Sequence, residues 1–176
     1  MGKYKHQIFN FSDREETVWK APPQGYLRLD TDASVNHEQK ATGGGIIRDS
    51  YGQWILGYQC KLGYAQSTTA ELHTLRQGLQ CCQQYGLKNV IAYTDSMEAY
   101  NLIMRDGGQN HPLREEINAA RNMIFSEWVL QLKYAPRDTI RCADRLAKTA
   151  HDMAGNFTIW TTPTPNVWTS LRRRVL

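Results

Sequence analysis

The spacing of apolar and polar residues changes period several times along the chain, and each change marks an element. From Tyr26 to Ala33, Leu27, Leu29 and Thr31 fall on one face, with Tyr26, Arg28, Asp30 and Asp32 on the other. That is the two-residue period of a β-strand. A polar turn over Asn36 to Lys40 follows. Thr42 to Arg48 reads as a second strand, and Asp49-Ser50-Tyr51-Gly52 as a tight turn into a third, Gln53 to Leu62, so that these two form a hairpin. Gly43, Gly44 and Gly45 lack a phosphate-loop pattern and precede no helix, which points to close backbone packing. Beyond Leu62 the period lengthens. Leu72, Leu75, Leu79 and Cys82 recur at helical spacing behind Ser67-Thr68-Thr69, which offer caps. Glu71 lies within the first turn, at the edge of that apolar stripe.

Asn89 to Thr94 is an apolar strand of the kind covered on both faces. Asp95-Ser96 caps a short helix reaching about Met104. Pro112 to Phe125 is a further helix, with Ile117, Ala120 and Ile124 on one side. Trp128 to Tyr134 alternates as a fifth strand, and Ile140 to about Met153 is the last main helix. The order β-β-β-α-β-α-α-β-α predicts an α/β fold, a five-stranded mixed sheet with helices on both faces. In such sheets the site lies at the carboxyl ends of the strands, where Asp32 and Asp95 both fall. Residues 1–24 read as a lead-in or linker, stiffened by Pro22 and Pro23. Residues 25–155 form the domain, and 156–176 a C-terminal extension that closes on Arg172-Arg173-Arg174.

Composition adds little but excludes some classes. The 176 residues suffice for one domain with a sizeable core, 41% hydrophobic and 22% charged. No apolar run approaches a membrane span, and Met1 to Asn10 lacks the apolar core of a signal peptide. The four cysteines, Cys60, Cys81, Cys82 and Cys142, show no disulfide-like or metal-ligand spacing, which suits a reducing, intracellular compartment, nuclear or cytoplasmic. A net charge of +4 is compatible with a polyanionic partner without demanding one.

The candidate chemistry lies in four acids: Asp32, Glu71, Asp95 and Asp144. Singly, each has a plain reading: an aspartate at a strand end serves as a turn or cap residue, and an acid early in a helix complements its dipole. Together they sit where apolar core gives way to polar loop. Clustered carboxylates raise one another's pKa unless a cation neutralises them. With no accompanying stripe of Lys or Arg, they suggest hard ions with oxygen ligands, Mg²⁺ or Mn²⁺. Two such ions about 3.5–4 Å apart form a clamp for in-line phosphoryl displacement.

The surrounding residues resemble a known family. Leu29-Asp30-Thr31-Asp32-Ala33-Ser34, Ala70-Glu71-Leu72, Tyr93-Thr94-Asp95-Ser96 and Ala143-Asp144-Arg145-Leu146-Ala147 are similar to the four signatures of type 1 ribonuclease H, in the form carried by plant proteins and plant LINE-type retroelements. Trp19 to Pro23 and Arg48-Asp49-Ser50-Tyr51-Gly52 resemble further features of that group. The likeness spans about residues 19 to 165. It implies an RNase H-like fold, with strand order 3-2-1-4-5 and cleavage of the RNA strand of RNA–DNA hybrids by two Mg²⁺ or Mn²⁺ ions. It also implies roles: Asp32 bridging both ions, Asp144 on the nucleophile side, and Glu71 and Asp95 on the leaving-group side, with Glu71 also meeting a ribose 2′-OH. Ser34, Ser67, Thr68, Ser96 and Arg137 would touch sugars or phosphates.

The implied partners are an RNA–DNA hybrid and a tethered reverse transcriptase or other domain of a larger polyprotein. The protein would be a monomer without membrane contact. Departures from the family pattern are Ala33 where glycine is usual, Tyr134 where many members carry a histidine, and Ile140 where asparagine is frequent. They leave room for an alternative, a catalytically weak or inactive domain that binds nucleic acid or protein. Asp30 reads as structural, and His37, His73 and His151 as surface residues without partners.

Overall fold

The computed structural model describes residues 18–106 and 109–172. Nine-residue strands β1 (Leu27–Val35) and β2 (Lys40–Arg48) and the longer β3 (Trp54–Tyr64) form an antiparallel meander. Helix α1 (Ser67–Gln84) crosses to β4 (Val90–Thr94), which pairs in parallel with β1. Helix α2 (Met97–Asn101) runs into a π-helical turn (Leu102–Asp106), and α3 (Arg114–Ile124) leads to β5 (Val129–Tyr134), parallel to β4. A 3₁₀ turn (Arg137–Thr139) precedes α4 (Arg141–Thr149), which a second 3₁₀ turn (Ala150–Asp152) extends.

The sheet order is β5-β4-β1-β2-β3-β6. The expected order 3-2-1-4-5 is present within it, and the count of five strands is corrected to six. Strand β6 (Phe157–Trp160) pairs antiparallel with β3. These four residues lie in the stretch set apart as a C-terminal extension, and helix α5 (Pro165–Arg172) follows them. The edge of β3 would otherwise expose a row of unpaired backbone groups, and β6 covers it.

Two apolar layers flank the sheet. On one face α1 buries Leu72, Leu75 and Leu79 against Leu29, Ile47 and Tyr58, and α3 adds Ile117 and Ala120. Tyr58 hides its hydroxyl there by donating to the carbonyl of Thr74 at 2.6 Å. On the other face α4 and α5 bury Ala143, Leu146 and Val167 against Ile46. The glycine run of β2 is what lets the helices come so close. A Cβ on Gly45 would enter the Tyr58 ring, and one on Gly44 would lie 2.5 Å from the backbone nitrogen of Ala147.

Residues 1–17 of the expected lead-in lie outside the described residues, but its end belongs to the packed structure. Trp19 donates its indole N–H to Oδ2 of Asp30 at 2.9 Å and lies against the Arg48 guanidinium, 3.7 Å from ring centroid to carbon. Asp30 also accepts from Arg28 at 2.7 Å and from Arg48 at 3.3 Å. Arg28 and Arg48 face each other across β1 and β2, so one buried carboxylate serves two buried guanidinia.

Candidate active site

Strand pairing brings the first two acids together. Thr31 of β1 stands beside Thr94 of β4 in a parallel register, so the next residue of each chain segment, Asp32 and Asp95, emerges at the same end of the sheet. Glu71 comes from α1, at the start of its second turn rather than the first. The helix is capped by Gln66 without a side-chain bond, so the expected Ser67–Thr69 cap is not formed. Glu71 reaches the end of β1, where the Ala33 amide donates to its Oε1 at 3.2 Å and to Oδ1 of Asp32 at 2.9 Å. Asp32, Glu71 and Asp95 each present an oxygen within 4.8 Å of the others. Asp144 comes from the first turn of α4, the helix seated on Gly44, and Gly44 is the register partner of Asp32.

Burial governs the electrostatics. The Asp32 carboxyl is pushed up to about 10, first by burial and then by the charges of Glu71, Asp95 and Asp144. Glu71 is pushed up to about 8, by burial and then by Asp95, against the opposing pull of the Ala33 amide. Asp95 is also raised, chiefly by burial, with Arg137 pulling the other way. Asp144 differs. Burial would raise it, but it is held below the usual carboxylate range by Lys148 at 2.9 Å, by hydrogen bonding with Asp32 and by Arg137 at 3.4 Å. The expectation of acids without nearby cations is therefore corrected at Asp144. Among the described residues, no Lys or Arg forms an ion pair with Asp32, Glu71 or Asp95.

Oδ2 of Asp32 and Oε2 of Glu71 are buried and have no hydrogen-bond partner. An unpartnered buried carboxylate oxygen is costly, and a cation removes that cost. The donor set is all carboxylate oxygen, which fits a hard divalent ion.

The five residues expected to touch substrate are placed unequally. Ser34 lies on β1 two residues past Asp32, and its Oγ is 3.2 Å from Nε2 of His151. Arg137 is exposed and already bonded to Asp144. Ser67 is exposed at the start of α1, whereas Thr68 donates to Glu98 at 2.6 Å. Ser96 spends its oxygen on the amide of Ala99, capping α2. Tyr134 stands opposite Thr94, one residue before Asp95, and so at the rim.

Two readings are corrected. Ala33 needs no positive φ and sits inside β1, so the strand accommodates alanine without strain. His151 has partners: its Nε2 lies 3.1 Å from Oγ1 of Thr42 as well as near Ser34. Thr42 gives its own proton to the carbonyl of Ala147 at 2.6 Å, so His151 donates to Thr42, and a tautomer protonated at Nε2 follows. Nothing local in the sequence signals this contact, because 117 residues separate His151 from Ser34. His73 stays as expected: its Nε2 has no hydrogen-bond partner, and Glu116 lies 3.9 Å away, beyond hydrogen-bond distance.

Comparison with known proteins bears on the fold and the family. A provisionally named ribonuclease H protein of Arabidopsis thaliana is 26% identical over 140 residues, 79% of this chain but 23% of that protein, so the chain spans about a quarter of its relative's length. RNase H1 of the halophilic archaeon Halobacterium salinarum superposes with a TM-score of 0.67 at 22% identity, over 73% of this chain and 98% of that one. A compost-derived RNase H1, LC11, solved in complex with an RNA/DNA hybrid, superposes with a TM-score of 0.64 at 20% identity, over 72% and 96%. Residues 30–150 match the reverse transcriptase-like family, and with this fold and these motifs the chain belongs to that family, as an RNase H-like member.

Proposed function

We propose that this chain is a metal-dependent endonuclease that hydrolyses the RNA strand of RNA–DNA hybrids with two divalent ions, Mg²⁺ or Mn²⁺. The observation that carries the reading is the group Asp32, Glu71 and Asp95, with two buried carboxylate oxygens lacking a hydrogen-bond partner. In the reaction a water oxygen attacks phosphorus and the bond to the 3′ oxygen breaks, leaving 3′-OH and 5′-phosphate ends. Bound divalent ions supply Lewis-acid activation of the water and neutralise charge on the leaving oxygen. Asp32, central to the cluster, would contact both ions, Asp144 the nucleophile-side ion, and Glu71 and Asp95 the other. Glu71 would also accept from a ribose 2′-OH, the group that separates RNA from DNA. Ser34, two residues past Asp32 on β1 with its Oγ 3.2 Å from Nε2 of His151, would donate to the backbone.

A second reading, a binding module without catalysis, draws on Asp144, whose two oxygens are already occupied by Arg137 and Lys148. Cleavage of a labelled hybrid with Mg²⁺, with Mn²⁺ and with EDTA, beside Asp32→Asn, decides between them. Metal-dependent cutting of the RNA strand alone, lost in the variant, establishes the nuclease. Binding without cutting by folded protein moves the assignment to the module.

A further inference from the structure

Next to the carboxylates a cleft of about 760 Å³ opens between α4, the preceding 3₁₀ turn and α5, and most of its lining has no role above. Arg48, Arg137, Arg141 and Arg145 line it against two acids, Asp138 and Asp144. Thr169 and Ser170 add hydroxyls from α5. Arg141 reaches Asp138 only at 3.6 Å, and Arg145 forms no ion pair among the described residues.

Behind these exposed groups stands a buried one. Arg48 is 7% exposed, shares the single carboxylate of Asp30 with Arg28, and has an Nε without a hydrogen-bond partner. Two buried guanidinia on one carboxylate leave positive charge behind the wall of the cleft. The start of α4 also faces it, through Arg141 and Cys142, and the capping residue Ile140 has no side chain to bond the first amides. Positive charge, hydroxyls and an uncapped helix start converge on one ligand chemistry, a phosphate group.

We infer that this cleft binds a backbone phosphodiester of the nucleic acid, next to the phosphate held at the carboxylates. Asp144 and Arg137 belong both to the cleft and to the acid cluster, so a strand leaving the one enters the other. This inference rests on the proposed nuclease reading. A protein that binds no nucleic acid has no use for such a neighbour site.

The test measures affinity for a labelled RNA–DNA hybrid across a range of salt, in an Asp32→Asn background that prevents cutting. Arg141→Ala with Arg145→Ala is compared with Arg76→Ala with Arg114→Ala, which removes the same charge from exposed positions on α1 and α3. The cleft pair is expected to weaken binding about tenfold and to lower the slope of log Kd against log salt by about one, while the control pair leaves the slope unchanged. Equal effects of the two pairs, with the parent binding tightly, overturn the cleft and leave the nuclease reading standing. A parent that fails to bind hybrid at any salt overturns both.

Discussion

Nζ of Lys148 stands 2.9 Å from Oδ2 of Asp144, one turn further along α4. The ammonium occupies an oxygen that a divalent ion would also need, so ion and lysine compete for it. Replacing Lys148 with Met is expected to lower the half-saturating Mn²⁺ concentration about two- to fivefold, the range expected of a half-exposed pair. A Mn²⁺ titration followed by calorimetry and by cleavage rate checks it. An unchanged or higher requirement would show that Lys148 positions Asp144 rather than competing for it.

The buried acids make a prediction about stability without metal. Asp32, pushed up to about 10 in the fold, prefers to be protonated there, and Glu71, pushed up to about 8, follows the same logic. A folded-state pKa above the unfolded value means that ionisation opposes folding. Stability contributed by the protonated forms is present below about pH 4, the unfolded range, and is lost as pH rises toward the folded values. Metal-free protein is therefore expected to lose stability across neutral pH, and added Mg²⁺ to restore it. At pH 7 the unfolded chain ionises Asp32 whereas the fold holds it protonated, and Asp32→Asn removes that linked proton uptake. It is expected to raise metal-free stability at pH 7 by about 1–3 kcal/mol while lowering cleavage by a factor of about 10² or more. Urea unfolding with EDTA at several pH values reads the first effect, and a flat wild-type profile would count against it.

Asp30 lies on the same strand as Asp32 but does the opposite work. Its two oxygens accept from Arg28, Arg48 and Trp19, and no other carboxylate pairs with those guanidinia among the described residues. Asp30→Ala leaves two buried positive charges uncompensated and is expected to destabilise by about 3–5 kcal/mol. Trp19→Ala, which removes one donor and the ring over Arg48, is expected to cost less, about 1–2 kcal/mol. Denaturant midpoints rank the two. A Trp19 variant as damaging as the Asp30 variant would mean that the tryptophan, and not the charge, anchors this cluster.

The acids are legible in the sequence because each follows a local rule. Asp32 and Asp95 end apolar strands, Glu71 borders a leucine stripe, and Asp144 opens a helix. What the chain hides is pairing across distance. Arg28 meets Arg48 only through the register of β1 on β2, so the purpose of Asp30 and Trp19 is invisible until that register is known. Strand β6 is a four-residue segment whose role comes from the open edge of β3 rather than from its own composition. His151 reads as a surface histidine because its partners, Ser34 and Thr42, belong to strands at the far end of the sequence.

Gly44 links that hidden packing to the site. It pairs with Asp32 in the register of β1 and β2, and α4 lies so close over it that a Cβ would sit 2.5 Å from the Ala147 nitrogen and 2.7 Å from Cβ of Leu146. Both neighbours belong to a rigid helix, so relief requires α4 to move outward, and Asp144 moves with it. Gly44→Ala is expected to cost about 1–3 kcal/mol of stability. It is also expected to lower cleavage more than Gly63→Ala, a substitution at a positive-φ position near the end of β3 with open space around it, which strains the backbone without touching α4. Rates measured at saturating Mg²⁺ and at a temperature where both variants are fully folded separate misplacement of Asp144 from simple unfolding. If the Gly44 variant then cuts at the wild-type rate, the close seat of α4 serves stability alone, and the position of Asp144 tolerates a shift of the helix that carries it.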